Sequence, residues 1–152
     1  MPDESEEEER IIEERGNLKE HNLEFAVSIN EPIEKIFYSD PVIVFSDTKV
    51  ADAINSFIQK DVSAVLVVEN ESKRLIGIFT ERDVIKKLTN KGFDFSKETV
   101  NKYMTKNPDA LPLSDPIAYA LNRMATGGYR HIPLIDKNHI PVGILSIKDI
   151  VE

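Results

Sequence analysis

The pattern of apolar and polar positions runs through the chain twice. In the first copy an apolar segment at residues 42–45 leads into Val50, Ala51, Ile54, Phe57 and Ile58 at helical spacing, and in the second residues 110–113 lead into Ile117, Ala118, Leu121 and Met124. Two short apolar runs follow in each copy, residues 64–68 and 75–79, then 131–135 and 141–145, separated by polar connections of hairpin type. A short helix is predicted to begin near Glu81 and again near Ile147. Each copy therefore reads strand, helix, strand, strand, helix, an α/β (α+β) unit. Asp47 or Thr48, and Ser114 or Asp115, are the expected helix caps.

Residues 41–85 can be laid over residues 108–151 with a single one-residue gap. An offset of 67 matches Pro41 with Pro108, Ala51 with Ala118, Ala53 with Ala120 and Asn55 with Asn122. After the gap an offset of 66 matches Gly77 with Gly143, Ile78 with Ile144 and Asp83 with Asp149. The ordered agreement of periodicity makes this an internal repeat, the feature to seek first in any chain. A unit of roughly 50 residues with three short strands can hardly bury both faces of its sheet alone, so the copies are expected to pack on each other. The expected division is an acidic segment at 1–22, helical or disordered, a first domain with its lead-in at 23–90, a linker at 91–99 and a second domain at 100–152. Within the lead-in, Leu23, Phe25, Val27 and Ile29 alternate as in a strand, and residues 32–37 suit one helical turn.

Both copies end their second hairpin strand in the same chemistry, Gly77-Ile-Phe-Thr80-Glu-Arg-Asp83 and Gly143-Ile-Leu-Ser146-Ile-Lys-Asp149. A hydroxyl three residues before a carboxylate is a capping-box pattern and can serve the helix alone. The same corner also presents free backbone amides and the positive end of a helix dipole, which suit an anion, beside a carboxylate able to accept ribose hydroxyls. Recurrence in two copies favours a binding role. The copies differ at Arg130 and His131, which stand where the first copy has Ser63 and Ala64, so the two sites are expected to be electrostatically unequal, one dominating. Arg82 and Lys148 lie inside the motifs and are further candidates for phosphate.

Taken with the segment Tyr129-Arg-His-Ile-Pro-Leu-Ile-Asp136, these endings resemble the CBS domain family, and the pair resembles a Bateman module over about residues 30–152. The resemblance implies two packed domains with pseudo-two-fold symmetry and two interdomain clefts that in many members hold AMP, ADP, ATP or S-adenosylmethionine. It implies one site made by Thr80 and Asp83 with Thr105 and residues Asn107 to Ala110. The other would join Ser146 and Asp149 to Ser39 and residues Asp40 to Ile43. The two acids would hold ribose and the two hydroxyls ribose or phosphate. Val42, Ile43, Val65, Ile132 and Pro133 would sandwich adenine. It further implies a homodimer and a separate protein effector, with no cofactor required beyond the adenine nucleotide or S-adenosylmethionine bound as ligand. A ligand-free scaffold for dimerisation or partner binding is the alternative.

Composition narrows these readings. The net charge of −8 is concentrated at one end: residues 1–24 carry ten acids against three bases, the rest 17 acids against 16 bases. The nearly neutral remainder does not suggest nucleic-acid binding, which needs basic surface. There is no cysteine, hence no disulfide or thiolate metal site, and no apolar run approaches the roughly 20 residues of a membrane span. The acidic start lacks the order of a secretory signal, so a cytoplasmic location is expected. His21, His131 and His139 show no ligand spacing, no nucleophile finds a base, and neither a P-loop nor a dinucleotide fingerprint occurs. A regulatory binding protein, not an enzyme, is expected.

Overall fold

A computed structural model describes residues 29–151. Of the strand expected from the alternation of Leu23, Phe25, Val27 and Ile29 only Ile29 is described, and it lies in a turn; the rest of it and the acidic segment lie outside the described residues. The first copy contains β1 (Ile43–Phe45), α1 (Val50–Lys60), β2 (Ala64–Val68), β3 (Leu75–Thr80) and α2 (Glu81–Asp83, continuing as π-helical turns over Val84–Leu88). After 3-10 turns at Val100–Lys102 come β4 (Thr105–Lys106), β5 (Leu111–Pro112), α3 (Ile117–Gly127), β6 (His131–Ile135), β7 (Pro141–Ser146) and α4 (Ile147–Val151). One sheet has the order β1-β2-β3-β4 and the other β5-β6-β7. In each the first strand lies parallel to the next, and the hairpin is antiparallel with a register shift at an equivalent point, Val67/Val68 and Leu134/Ile135. The mixed α/β class and the doubled unit are as the periodicity predicts.

Alternation along β2 explains the layering. Val65 and Val67 face α1 and join Val44, Val50, Ala53, Phe57, Phe79, Leu88 and Val100 in a first core. Ile33, Leu111, Ile117, Ala120, Met124, Ile132, Leu134 and Leu145 form the equivalent second core under α3. The opposite face of the first sheet supplies Ala64, Leu66, Leu75 and Ile78 to a third cluster, where Ala110, Ile135 and Ile144 of the second copy pack against them. Being covered on both sides, β2 is buried at all five positions, which is why it reads as a continuous apolar run.

The lead-in of each copy belongs structurally to the other. Val100 donates to the Thr48 carbonyl and Asn101 to that of Ser46, while Ile33 donates to Asp115 and Glu34 to Leu113, the same pair of bonds displaced by 67. β4 pairs with β3, matching Ile78 with Thr105, and Ser39 bridges Ile144 in the same way, displaced by 66. The structural repeat thus extends upstream of the segment aligned by sequence.

This exchange also corrects the expected helix caps. Lys49 and Pro116 occupy the cap positions, and neither makes a side-chain cap bond. The first amides of α1, at Val50 and Ala51, donate instead to carbonyls of Glu98 and Phe95, and those of α3, at Ile117 and Ala118, to Glu31 and Ile29. Backbone from the opposite lead-in satisfies the orphan donors. Thr48 Oγ1 accepts from the Phe45 N–H at 2.9 Å and shapes the turn before the helix. At the other ends, α1 closes on left-handed Asp61 (φ 51°) and α3 on left-handed Gly128 (φ 71°), equivalent positions of the repeat.

The motif glycines mark where a lead-in crosses a strand. A Cβ on Gly77 would meet Met104 Sδ at 2.3 Å, and one on Gly143 would meet the Tyr38 ring at 2.7 Å. They admit the crossing side chain, and thereby hold Thr105 and Ser39 beside the Thr80 and Ser146 corners.

Candidate functional site

Two clefts lie between the copies. The larger, about 1010 Å³, is lined at one side by Thr80, Glu81, Arg82, Asp83, Lys86 and Lys87, and at the other by Thr105, Asn107, Pro108, Asp109, Tyr129, Arg130 and His131. The smaller, about 370 Å³, is lined by Ser39, Asp40, Val42, Asp61 and Ser63 against Arg130, His131, Ser146, Lys148 and Asp149. The lead-in exchange produces both: each places the strand-to-helix corner of one copy beside the opening of the other.

Most of the sequence-predicted residues fall in these walls, with five exceptions. Ile43 is on the exposed alternation of β1 and lies outside both clefts. Ala110 packs into the third cluster, and Ile132, fully buried in the second core, shows no surface to a ligand. Pro133 is buried as well, and the same holds for Val65 of the first core. Strand alternation turns these side chains into or across the sheets and away from the clefts. Of the apolar strand residues, Ile78 reaches the larger cleft and Ala64 and Ile144 reach the smaller.

The two corners are built alike but engaged differently. At the larger cleft Asp83 Oδ2 accepts from Thr80 N–H at 3.0 Å and from its hydroxyl at 3.2 Å, and Thr80 Oγ1 accepts from Asp83 N–H at 3.2 Å, a complete capping box. Lys87 Nζ sits 2.9 Å from Asp83 Oδ1 and also donates to the Tyr103 carbonyl at 2.7 Å. At the smaller cleft Asp149 Oδ2 accepts from Ser146 N–H at 2.8 Å. The capping role read from spacing is therefore present in both copies, and both acids also line the clefts.

Cations gather at the larger cleft. Arg82, Lys86, Lys87 and Arg130 line it against Glu81, Asp83 and Asp109. Arg82 reaches across, Nη1 donating to the Gly128 carbonyl at 3.4 Å. The far wall is braced by Tyr129, whose hydroxyl donates to Asp109 while Arg123 Nη1 stands 3.8 Å from the other Asp109 oxygen. Burial, followed by the hydrogen bond to the Asp109 carboxylate, pushes the Tyr129 phenol up to about 12, so it stays protonated as a donor. Lys86, Lys87 and Tyr129 were missed by motif matching. Lys86 and Lys87 stand three and four residues beyond Asp83, one helical turn on, and that spacing was the available signal.

His131 lies between the clefts and shares a hydrogen bond with Ser63 Oγ through Nε2 at 3.0 Å. Burial holds its pKa below the ordinary 6.5, with Arg130 and Lys148 adding to the effect and Asp149 opposing it. As pH falls below about 6.5 the unfolded chain takes up a proton that the folded chain resists. This part of the stability is thus complete above that pH and lost on acidification, by at most about 1.4 kcal/mol per pH unit. Denaturant unfolding between pH 7.5 and 5 is expected to show a steeper loss for the native chain than for His131→Gln. Parallel profiles would mean that His131 does not carry the dependence.

Among the described residues no group of three His, Cys, Asp or Glu is placed to hold a metal ion, and no helix is long and apolar enough to cross a membrane.

Comparison with known proteins agrees with this architecture. The family described as CBS domain matches residues 27–90 and 100–152. An uncharacterised 17.7 kDa protein of Acidianus ambivalens is 30% identical over 118 residues, 78% of this chain and 70% of that protein. A meiotically up-regulated protein of Schizosaccharomyces pombe is 34% identical over 108 residues, 71% of this chain, which spans only 14% of that protein's length. Among solved structures, a CBS domain protein from Pyrobaculum aerophilum complexed with AMP superposes with a TM-score of 0.71 at 20% identity, covering 78% of this chain and 88% of that one. A CBS domain pair in complex with 5′-methylthioadenosine and S-adenosyl-L-methionine gives 0.69 at 24% identity, covering 78% and 95%.

Proposed function

Since the chain belongs to the CBS domain family, we propose that it is a regulatory binding module, not an enzyme, that takes an adenosine-containing ligand in its interdomain clefts and passes occupancy to a partner protein or to its own oligomeric state. The observation that carries this reading is the larger cleft, where Arg82, Lys86, Lys87 and Arg130 line the same space as the carboxylate of Asp83, a space suited to a nucleotide. In it Asp83 and Thr80 accept and donate to ribose, the free cations hold phosphate, and Ile78 offers an apolar surface to adenine. Thr105, Asn107 and Pro108 close the opposite side. Ser146 and Asp149, with Ser39, Asp40 and Val42, play the corresponding part in the smaller cleft. The complexes of structural neighbours with AMP and with S-adenosylmethionine support this ligand class. The setting we propose is cytoplasmic, and the assembly a homodimer.

The ligand-free scaffold draws on one observation, that Asp83 is already engaged by Thr80 and Lys87. Thermal stability with AMP, ADP, ATP, S-adenosylmethionine and NAD separates the two. A ligand that binds only the folded chain adds about 2.7 kcal/mol at 100 times its dissociation constant. The expected result is a concentration-dependent rise with at least one adenine nucleotide. No rise with any of the five would favour the scaffold.

A further inference from the structure

Ser63, Arg130 and His131 line both clefts. Ser63 and Arg130 are equivalent positions of the repeat, so this shared wall stands at the pseudo-two-fold axis, but it carries a hydroxyl from one copy and a guanidinium from the other. Among the described residues Arg130 makes no ion pair, and it is exposed. The surroundings on its two sides are opposite. Without Arg130 the larger cleft still has Arg82, Lys86 and Lys87 to balance Glu81, Asp83 and Asp109. Without it the smaller cleft has Lys148 alone against Asp40, Asp61 and Asp149, in about 370 Å³.

We infer that one guanidinium serves two sites, and that the clefts therefore take different ligand classes: a nucleotide phosphate in the larger cleft draws Arg130 to itself, leaving the smaller cleft for an adenosine compound without phosphate, uncharged or cationic. This rests on the adenosine reading of the clefts. A second polyanion in the smaller cleft would share about 370 Å³ with three carboxylates and one lysine to offset them, and like charges so confined disfavour binding. An adenosine compound lacking phosphate keeps the ribose contact at Asp149 and avoids the repulsion.

Isothermal titration of the full chain with AMP and adenosine tests this. The native chain is expected to bind one AMP tightly and a second at least ten-fold more weakly, and the chain saturated at its first site is expected to take up one adenosine. In Arg130→Ala the first AMP should weaken by ten-fold or more. In the double variant Asp40→Asn, Asp61→Asn, which leaves the corners intact, the second AMP should tighten and the gap between the steps should narrow. Two AMP steps of equal affinity in the native chain, or one-for-one displacement of adenosine by the first AMP, would overturn this inference and leave the adenosine reading standing. Failure of both compounds to bind would overturn this inference, and the adenosine reading falls with it only where the five compounds of the thermal panel give no rise either.

Discussion

Leu66→Ala is expected to destabilise the fold by about 2–5 kcal/mol and to weaken ligand binding in both clefts together. Leu66 has no exposed surface and sits at the centre of the third cluster, the contact through which the first sheet meets Ala110, Ile135 and Ile144 of the second copy. That cluster is small. Truncating its largest central side chain leaves a cavity between the sheets, and the sheets set the spacing of the cleft walls. Leu134→Ala is the matched control, because Leu134 is equally buried but belongs to the core under α3. Urea unfolding should place both variants in the same range of stability loss. Titration with AMP should show the greater loss of affinity for Leu66→Ala. A loss below 1 kcal/mol for Leu66→Ala would contradict the packing of the two sheets described above.

The exchange of lead-ins explains why the contact can be so small. Each copy lends the other a strand or bridge, a 3-10 turn with a buried apolar residue (Ile33 or Val100), and the carbonyls that satisfy a helix N-terminus. Association of the copies is therefore written into the backbone hydrogen bonding as well as into side-chain burial. The cleft geometry inherits that rigidity, since Thr105 and Ser39 are held to β3 and β7 by main-chain pairing.

How much of this was visible beforehand depends on range along the chain. The hairpins were legible because period and turn chemistry are local: residues 64–68 and 131–135 are strands with the predicted bounds, and helices start at Glu81 and Ile147 as expected. The caps were not legible, because the first amides of the helices, at Val50, Ala51, Ile117 and Ala118, donate to the distant carbonyls of Glu98, Phe95, Glu31 and Ile29, which no local pattern reveals. The upstream extension of the repeat was hidden for a related reason. Ile33 and Val100 are equivalent in place and bonding, but the flanking identities at the same offset, Glu31 with Glu98 and Lys35 with Lys102, are too sparse to mark a repeat until the shared hydrogen bonds are seen. In the site, the corners with Asp83 and Asp149 followed from recurrence. Ile43, Ile132 and Pro133 were misplaced because a strand's apolar residues divide between faces, and only packing decides which face meets a cleft. The sharing of Arg130 and His131 between clefts depends on their standing at the axis, a three-dimensional fact.

The motif acids give the second large effect, and the two copies should answer differently. Asp83→Ala removes the acceptor for Thr80 and the partner of Lys87, so about 0.5–2 kcal/mol of stability should go with the cap. If Asp83 also accepts ribose hydroxyls, a charge-assisted bond of about 1.5–3 kcal/mol goes too, ten-fold or more in affinity at the larger cleft. Asp83→Asn separates the roles: its amide oxygen can still accept from the Thr80 N–H, so stability should recover in part while affinity stays low. Asp149→Ala loses the acceptor of the Ser146 N–H, so its stability cost should be smaller and its effect on the smaller cleft comparatively pure. Paired measurements of unfolding and ligand titration on the three variants decide the matter. Full AMP affinity in Asp83→Ala and full adenosine affinity in Asp149→Ala, with only stability reduced, would reduce both corners to helix caps.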